Sequence, residues 1–254
     1  MFGVLFFLAV ITGYVLWRQR SRSVLQSTPI PAQLEEILLS EIAYYRNLNP
    51  AGQQRFLSLV VSFLQQTRIE NIGTTIDDTD RVLVAASAVI PIFGFPEWRY
   101  NNLSDVLVYD DNFNEEFRAK GKNRYFMGMV GSGYMNGKML LSKTALREGF
   151  SNKTDKSNTA IHEFVHLLDM ADGAVDGIPE ALLEKQYTIP WLDLVHQKIQ
   201  DITDEKSDIN PYGATNKSEF FAVAAEYFFE RPDLLKSKHP NLYGMMEKIF
   251  RQAL

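Results

Sequence analysis

Ile161-His162-Glu163-Phe164-Val165-His166-Leu167-Leu168-Asp169 is the stretch that decides the fold of this chain. Its apolar residues at 161, 164, 165 and 168 have the spacing of a helix with one face in a core. His162 and His166 lie one turn apart on another face, so their imidazoles can converge on one metal ion. Glu163 lies between them, within reach of a water at that metal. The stretch predicts a zinc hydrolase; the apolar face argues against a solvated helix with this spacing by chance.

A catalytic zinc ion takes a third protein ligand and keeps one position open. The chain has four histidines and no cysteine. His196 lies in an amphipathic stretch, where we expect a surface or half-buried side chain. His239 precedes Pro240 in a lysine-rich turn, where we expect a solvated one. A carboxylate ligand is therefore expected, and its best source is a second predicted helix at residues 216–230.

That helix offers Glu219 and Glu226, which share a face but lie about 10 Å apart along the axis. Both cannot bind one zinc ion directly, so one is expected as a ligand and the other as an acceptor for a histidine N–H. Each also has an ordinary explanation: Asn216-x-x-Glu219 has the spacing of a capping box, and Glu226 fits a solvated helix face. Spacing alone leaves the two glutamates level.

Three segments together resemble the Mlc titration factor A family of zinc-dependent, glucose-regulated metallopeptidases. The first runs from Ile161 through Asp172-Gly173 and Asp176-Gly177 to Pro179; the others are residues 210–229 and 137–142. The resemblance to this family extends from about residue 31 to residue 254, and the family is related to the catalytic domain of anthrax lethal factor. It implies an α+β, zincin-like metallopeptidase domain with helices packed on a small sheet.

The resemblance also implies a role for each site residue. In that family the third ligand is a glutamate seven residues after an active-site tyrosine, a spacing that Tyr212 and Glu219 share. It implies one Zn²⁺ per chain held by His162, His166 and Glu219, with Tyr212 stabilising the oxyanion. Glu163 is then the general base for hydrolysis of a peptide or protein substrate. Asp169 is either a group that supports His166 or a plain acid at the helix end.

A second function is kept beside the peptidase. The resemblance implies that family members can sequester a sugar-responsive transcriptional repressor, which needs no catalysis. Glu163 discriminates between the two functions, because a structural zinc site does not need a base beside an open coordination position. A third possibility is a membrane-tethered scaffold with a vestigial site, which leaves the competence of all four predicted site residues unexplained.

Composition excludes several other classes of protein. With 254 residues and 46% hydrophobic residues, the chain has enough apolar material for one well-filled domain. Its net charge of −5 argues against direct nucleic-acid binding, which needs a basic excess. The absence of cysteine excludes a disulfide scaffold and fits a reducing compartment.

Residues 1–17 form an apolar run without a charged side chain, followed by Arg18, Arg20 and Arg22. As a helix the run would span roughly 25 Å, slightly less than a hydrocarbon core. The positive flank follows the run, unlike that of a cleaved signal peptide. We therefore predict a membrane-anchor helix with its basic flank (residues 1–22), a linker (residues 23–31) and a peptidase domain (residues 32–254). The domain is expected at the cytoplasmic face of the inner membrane, or in the cytoplasm with the apolar helix docked on protein.

Within the domain, apolar spacing predicts helices at residues 32–48, 53–66, 81–93 and 190–202. Strand signals occur at residues 105–109, 125–130 and 138–141. Asn136-Gly137 favours a tight hairpin turn between the last two strands. Helices packed on a small sheet are therefore expected, with the helix of His162 and His166 beneath that sheet.

Overall fold

The computed structural model describes residues 28–95, 97–110, 137–152 and 154–254. These residues form an α+β fold, as predicted, with far more helix than strand. The helices are α1 (Leu34–Glu41), α2 (Ala43–Asn47), α3 (Pro50–Gln66), α4 (Asp78–Ile92), α5 (Lys143–Ser151), α6 (Thr159–Asp169), α7 (Thr188–Thr203), α8 (Lys217–Glu230), α9 (Pro232–Lys238) and α10 (Pro240–Phe250). The strands are β1 (Arg68–Ile72), β2 (Asp105–Tyr109) and β3 (Lys138–Ser142).

The three strands form one parallel sheet in the order β1-β2-β3. Ile69 pairs with Val106, and Val106 pairs with Met139. All three side chains are buried, because a parallel sheet is normally covered on its faces by helices. Helix α6 contacts β3, so the sheet lies against the helix that carries His162 and His166.

Helix α6 forms because its sequence supplies both a start signal and a core face. The Asn158 side chain accepts a hydrogen bond from the Ile161 N–H and caps the first turn. Ile161, Phe164, Val165 and Leu168 are each at most 1% exposed, as the predicted apolar face requires. Burying side chains of this size stabilises the fold by about 1.5–3 kcal/mol each.

Helix α8 crosses this core and packs directly against α6. It begins after Asn216, whose side chain accepts a hydrogen bond from the Glu219 N–H. Phe220, Phe221 and Phe228 are fully buried, so α8 is surrounded by protein over most of its length. The pair α6 and α8 therefore forms a rigid frame, and polar side chains between the two helices have fixed positions.

The structure differs from the predicted elements in several places, and α9 and α10 are among the helices that were not predicted. The helix expected at residues 32–48 is divided into α1 and α2, because Ile42 has an extended backbone (φ −101°, ψ 100°). Strand β1 was not predicted, since Arg68, Glu70 and Asn71 hide the strand pattern in a polar segment. Helix α5 was also missed, although the Ser142 side chain accepts a hydrogen bond from the Ala145 N–H and caps its start.

Predictions for two parts of the chain fall outside the described residues. The strand at residues 125–130, and with it the hairpin through Asn136-Gly137, is one of them. The membrane-anchor helix in residues 1–22 is the other, and so is most of the linker. In the part of the chain that the structure describes, no helix combines the length and the apolar character needed to cross a membrane.

Candidate metal centre

Three side chains from α6 and α8 converge on one point. The His162 Nε2 and His166 Nε2 atoms are 3.0 Å apart. The Glu219 Oε2 atom lies 3.0 Å from His162 Nε2 and 3.4 Å from His166 Nε2. The two helices thus bring together the three residues that were expected to hold the metal ion.

This arrangement fits a zinc ion. Ligand atoms about 2.0–2.1 Å from a tetrahedral zinc ion lie roughly 3.3 Å from one another. The observed separations of 3.0 to 3.4 Å are close to this value. Two imidazole nitrogens and one carboxylate oxygen are also ligands that zinc prefers.

The electrostatics of the cluster favour positive charge at this point. Burial would lower the pKa of His162, but the carboxylates of Glu226 and Glu219 outweigh burial and raise it above its usual value. Burial would likewise raise the pKa of Glu219, but its hydrogen bonds to His162 and His166 lower it well below its usual range. Glu219 is therefore ionised at neutral pH, as a metal ligand must be.

Glu226 holds His162 from behind. The Glu226 Oε1 atom lies 2.7 Å from His162 Nδ1, on the ring edge opposite the convergent Nε2 atom. The Glu226 Oε2 atom accepts hydrogen bonds from the Ser157 hydroxyl and the Asn158 N–H. Glu226 is 5% exposed, so it does not lie on a solvated helix face. With Nδ1–H donated to Glu226, the lone pair of His162 Nε2 points at the metal position.

A second chain of hydrogen bonds orients His166. Its Nδ1 atom lies 3.2 Å from the Ser218 hydroxyl oxygen, and that hydroxyl donates to Asp169 Oδ2 over 2.8 Å. Ser218 therefore accepts a hydrogen bond from His166 Nδ1–H and donates one to the buried Asp169. Asp169 thus supports His166 through Ser218 and is more than an acid at the helix end.

Glu219 does not complete a capping box. The Asn216 side chain caps the Glu219 N–H, as the first half of such a box requires. The Glu219 carboxylate, however, points to the imidazoles of His162 and His166. The capping residue and the side chain directed at the metal position thus come from the same helical turn.

Glu163 is a buried acid of the site that differs from Glu226 and Asp169 in its hydrogen bonding. It is 4% exposed, and its Oε2 atom has no hydrogen-bond partner among the described residues. Burial raises the pKa of Glu163 above its usual value, although His162 and His166 oppose this shift. A carboxylate with a free oxygen and a raised pKa is suited to accept a proton from a water molecule.

Tyr212 lies beside the same cluster. It belongs to a short 3-10 helix, Pro211–Ala214, which packs against α8. The Asn210 side chain accepts a hydrogen bond from the Tyr212 N–H, which fixes the start of this turn. The Tyr212 ring centroid is 6.0 Å from that of His162, so its side chain is close enough to line the site.

Gly177 explains part of the Asp172-to-Pro179 segment that the sequence singles out. Its φ of +75° favours glycine, and a Cβ atom would lie 2.3 Å from the Lys217 carbonyl oxygen. The Gly177 N–H donates to both carboxylate oxygens of Asp169. This close approach brings the loop against the first turn of α8, next to Ser218 and Glu219.

His239 is buried, so the prediction of a solvated side chain is wrong. It is 8% exposed, and its Nε2 atom lies 2.8 Å from Asp208 Oδ1. His239 is the residue between α9 and α10, and its imidazole packs against the ring of Tyr227. His196 is exposed, within the range predicted for it.

Asp208 accepts four side-chain hydrogen bonds just before the Tyr212 turn. Its partners are Lys156, His239, Lys238 and Tyr227, at 2.8 to 3.0 Å. Burial alone would raise the pKa of Asp208, but these hydrogen bonds outweigh it and lower the pKa well below its usual range. Asp208 thereby ties the segments before α6 and before Tyr212 to α8 and α9.

We expect Asp208→Asn to lower the free energy of unfolding by about 1–3 kcal/mol at pH 7, because a charged acceptor of several hydrogen bonds is lost. Because its pKa is lower in the folded than in the unfolded state, the Asp208 carboxylate stabilises the fold at pH values above its unfolded pKa, about 3.9. This contribution is lost as the pH falls from there towards the folded-state pKa. Urea unfolding at pH 7 and pH 3 should therefore show a difference that shrinks in acid. The exposed Asp204, paired with Lys206, provides the control: Asp204→Asn should change little. An equal loss at both pH values would contradict the role of the Asp208 charge.

Three residues of this site were not found from the sequence. Ser157, Asn158 and Ser218 are short polar residues at helix starts, where capping explains them equally well. The position of Ser218 directly before Glu219 was the available signal. Its role depends on how α6 and α8 pack, which a single sequence does not reveal.

Comparison with known proteins shows what this chain is similar to. An uncharacterized protein of Synechocystis sp. is 28% identical over 255 residues, covering 96% of this chain and 92% of that protein. Mlc titration factor A of Salmonella arizonae is 28% identical over 81% of this chain and 86% of its own length. Mlc titration factor A of Cronobacter sakazakii is 27% identical over 89% of this chain and 87% of its own length.

The family profile described as glucose-regulated metallo-peptidase M90 matches residues 15–251, which is nearly the whole chain. The match includes α6, α8 and the Tyr212 turn, and so every residue of the convergent cluster. The chain belongs to the glucose-regulated metallopeptidase family M90.

Proposed function

We propose that this chain is a zinc-dependent peptidase with His162, His166 and Glu219 as metal ligands. The observation that carries the proposal is Glu163, a buried carboxylate with one unpartnered oxygen beside these three side chains. A site that bound zinc only for stability would not need such a group. Membership of a metallopeptidase family supports the same reaction class.

The chemistry divides between the ion and the protein. A bound zinc ion supplies a Lewis acid and lowers the pKa of water towards about 7. Glu163 accepts a proton from the attacking water and later returns it to the leaving amine. The Tyr212 hydroxyl donates a hydrogen bond to the scissile carbonyl oxygen, where negative charge develops in the transition state.

The surrounding residues keep these groups in position. Glu226 fixes the ring of His162, and Ser218 with Asp169 fixes the ring of His166. Both imidazoles therefore present Nε2 to the same point without a change of rotamer. Such preorganisation lowers the cost of reaching the transition state.

Zinc content and peptide hydrolysis, measured together, test the proposal. The full chain is expected to hold one zinc ion and to cleave members of a peptide library. Removal of zinc by a chelator should abolish cleavage, and added zinc should restore it. Zinc-loaded protein that cleaves no peptide would contradict the peptidase function.

Tyr212→Phe is expected to lower kcat about a hundred- to a thousand-fold, the usual cost of losing one oxyanion donor. KM and zinc content should remain nearly unchanged, because the hydroxyl acts on charge that exists only in the transition state. Steady-state kinetics of zinc-loaded protein measure both constants. Tyr187→Phe is a matched control, since the Tyr187 ring contacts Lys248. A rise in KM with kcat preserved would make Tyr212 a residue that positions substrate.

Binding of a transcriptional repressor is the second candidate function. It is favoured by the name Mlc titration factor A, which several relatives carry. Wild type and Glu163→Gln should then bind the Mlc repressor with equal affinity in a calorimetric titration, because sequestration needs no general base. Absence of binding by both proteins would exclude this function and leave the peptidase proposal intact.

A further inference from the structure

A cavity of about 430 Å³ lies apart from the convergent cluster. It lies between the α1–α2 junction, the end of α5 and the end of α8. Its volume is within the range of small-molecule sites, roughly 300–1,000 Å³. The lining residues that matter for its chemistry are Ala43, Leu48, Phe150, Ile161, Phe229 and Glu230.

Among the described residues, the lining combines an apolar wall with a single acidic side chain. Phe150, Phe229 and Leu48 supply aromatic and aliphatic surface, and Glu230 is the acidic side chain among them. None of the described lining residues is Lys, Arg or His. Glu230 also forms no ion pair with a described residue, so its charge has no counterion there.

Glu230 is held in place by a hydrogen bond, but no described cation lies beside it. Its Oε1 atom accepts a hydrogen bond of 2.9 Å from Asn158 Nδ2, and Asn158 is itself fixed by capping α6. Burial raises the pKa of Glu230 to about 7, and the nearby Asp155 and Glu226 raise it in the same direction. The charge of a cation in the cavity would offset both the cost of burying this carboxylate and its repulsion from the nearby acids.

We propose that this cavity is a binding site for a small organic amine, with its ammonium group on Glu230 and its apolar body against Phe150 and Phe229. The acid supplies a charge-assisted hydrogen bond, and aromatic side chains near a bound ammonium add cation–π attraction. The apolar lining selects amines with a hydrophobic body. The site is separate from the metal ligands, because Ile161 faces the cavity whereas His162 faces Glu219 and Glu226.

Three probes that share one apolar body test the proposal: 2-phenylethylamine, 2-phenylethanol and 3-phenylpropionate. Calorimetry on the zinc-loaded full chain should show the amine binding at least about tenfold more tightly than the alcohol, as expected for a hydrogen bond to a charged group. The propionate should bind most weakly, because its carboxylate faces Glu230. Equal affinity for all three probes, or no binding by the amine at millimolar concentration, would overturn the proposal.

Two variants locate the amine. Glu230→Gln keeps the shape of the side chain and should remove the preference for amine over alcohol, whereas Glu36→Gln, an exposed acid on α1, should keep it. Ala43→Trp places bulk at an exposed lining position and should weaken binding of all three probes. An amine that bound the zinc ion instead would be insensitive to both changes, and that result would also overturn the proposal.

Discussion

Glu163→Gln is expected to lower kcat for peptide hydrolysis about a hundred- to ten-thousand-fold, while fold and zinc content are preserved. Glutamine matches the shape of the buried side chain but cannot accept the proton of the attacking water. Its amide also remains near the two imidazoles without adding charge. The loss should therefore appear in kcat, with little change in zinc affinity.

The measurement compares zinc-loaded wild type and variant on the same peptide, with zinc content determined for each preparation. Glu180→Gln is the matched control, because Glu180 is exposed and its substitution removes the same charge. Far-ultraviolet circular dichroism checks that the overall helix content is unchanged. Undiminished turnover by a zinc-loaded variant would sink the general-base mechanism.

The helices that carry the site could be predicted from sequence because each contains its own signals. The apolar spacing in α6, Asn216 at the start of α8 and Pro232 after α8 are local features. Such features act within a few residues, so a single sequence reveals them. The positions of His162 and His166 on one face follow directly from the period of the helix.

Contacts between helices could not be predicted in the same way. Spacing left Glu219 and Glu226 level, and only the packing of α6 on α8 shows which carboxylate faces both Nε2 atoms. The burial of His239 depends on its contacts with Asp208 and Tyr227, which lie in other elements. These features are tertiary, and local propensity carries no information about them.

The missed elements have a different cause. Strand β1 presents Arg68, Glu70 and Asn71 at the sheet edge, so apolar alternation is weak in its five residues. Helix α5 is short and contains Gly149, which costs about 1 kcal/mol in a helix interior. Gly149 is retained because a Cβ there would lie 2.8 Å from the Asn158 side chain that caps α6. A residue of low helix propensity thus allows α5 to pack closely against the start of α6, beside the site.

Zinc affinity is expected to separate Glu219 from Glu226, although both carboxylates touch His162. Glu226→Gln keeps a hydrogen-bond acceptor behind the ring and should weaken zinc binding about ten- to a hundred-fold, the usual cost of a group that supports a ligand. Glu219→Ala removes the third ligand and its negative charge. It should weaken binding by more than Glu226→Gln does, because two imidazoles alone do not complete a zinc site.

Competition with a chromogenic chelator at fixed pH gives the affinity of each variant. Lys217→Ala is the control on the same turn of α8, and it should retain wild-type affinity because its side chain is not among the convergent groups. Unfolding by urea shows whether either loss reflects a damaged fold, since α8 lies in the core. If Glu226→Gln released zinc while Glu219→Ala held it, the roles of the two glutamates would be reversed. Glu219 Oε2 lies 3.0 Å and 3.4 Å from the two Nε2 atoms, whereas Glu226 contacts only Nδ1 of His162. These contacts argue that Glu219→Ala causes the larger loss of zinc affinity.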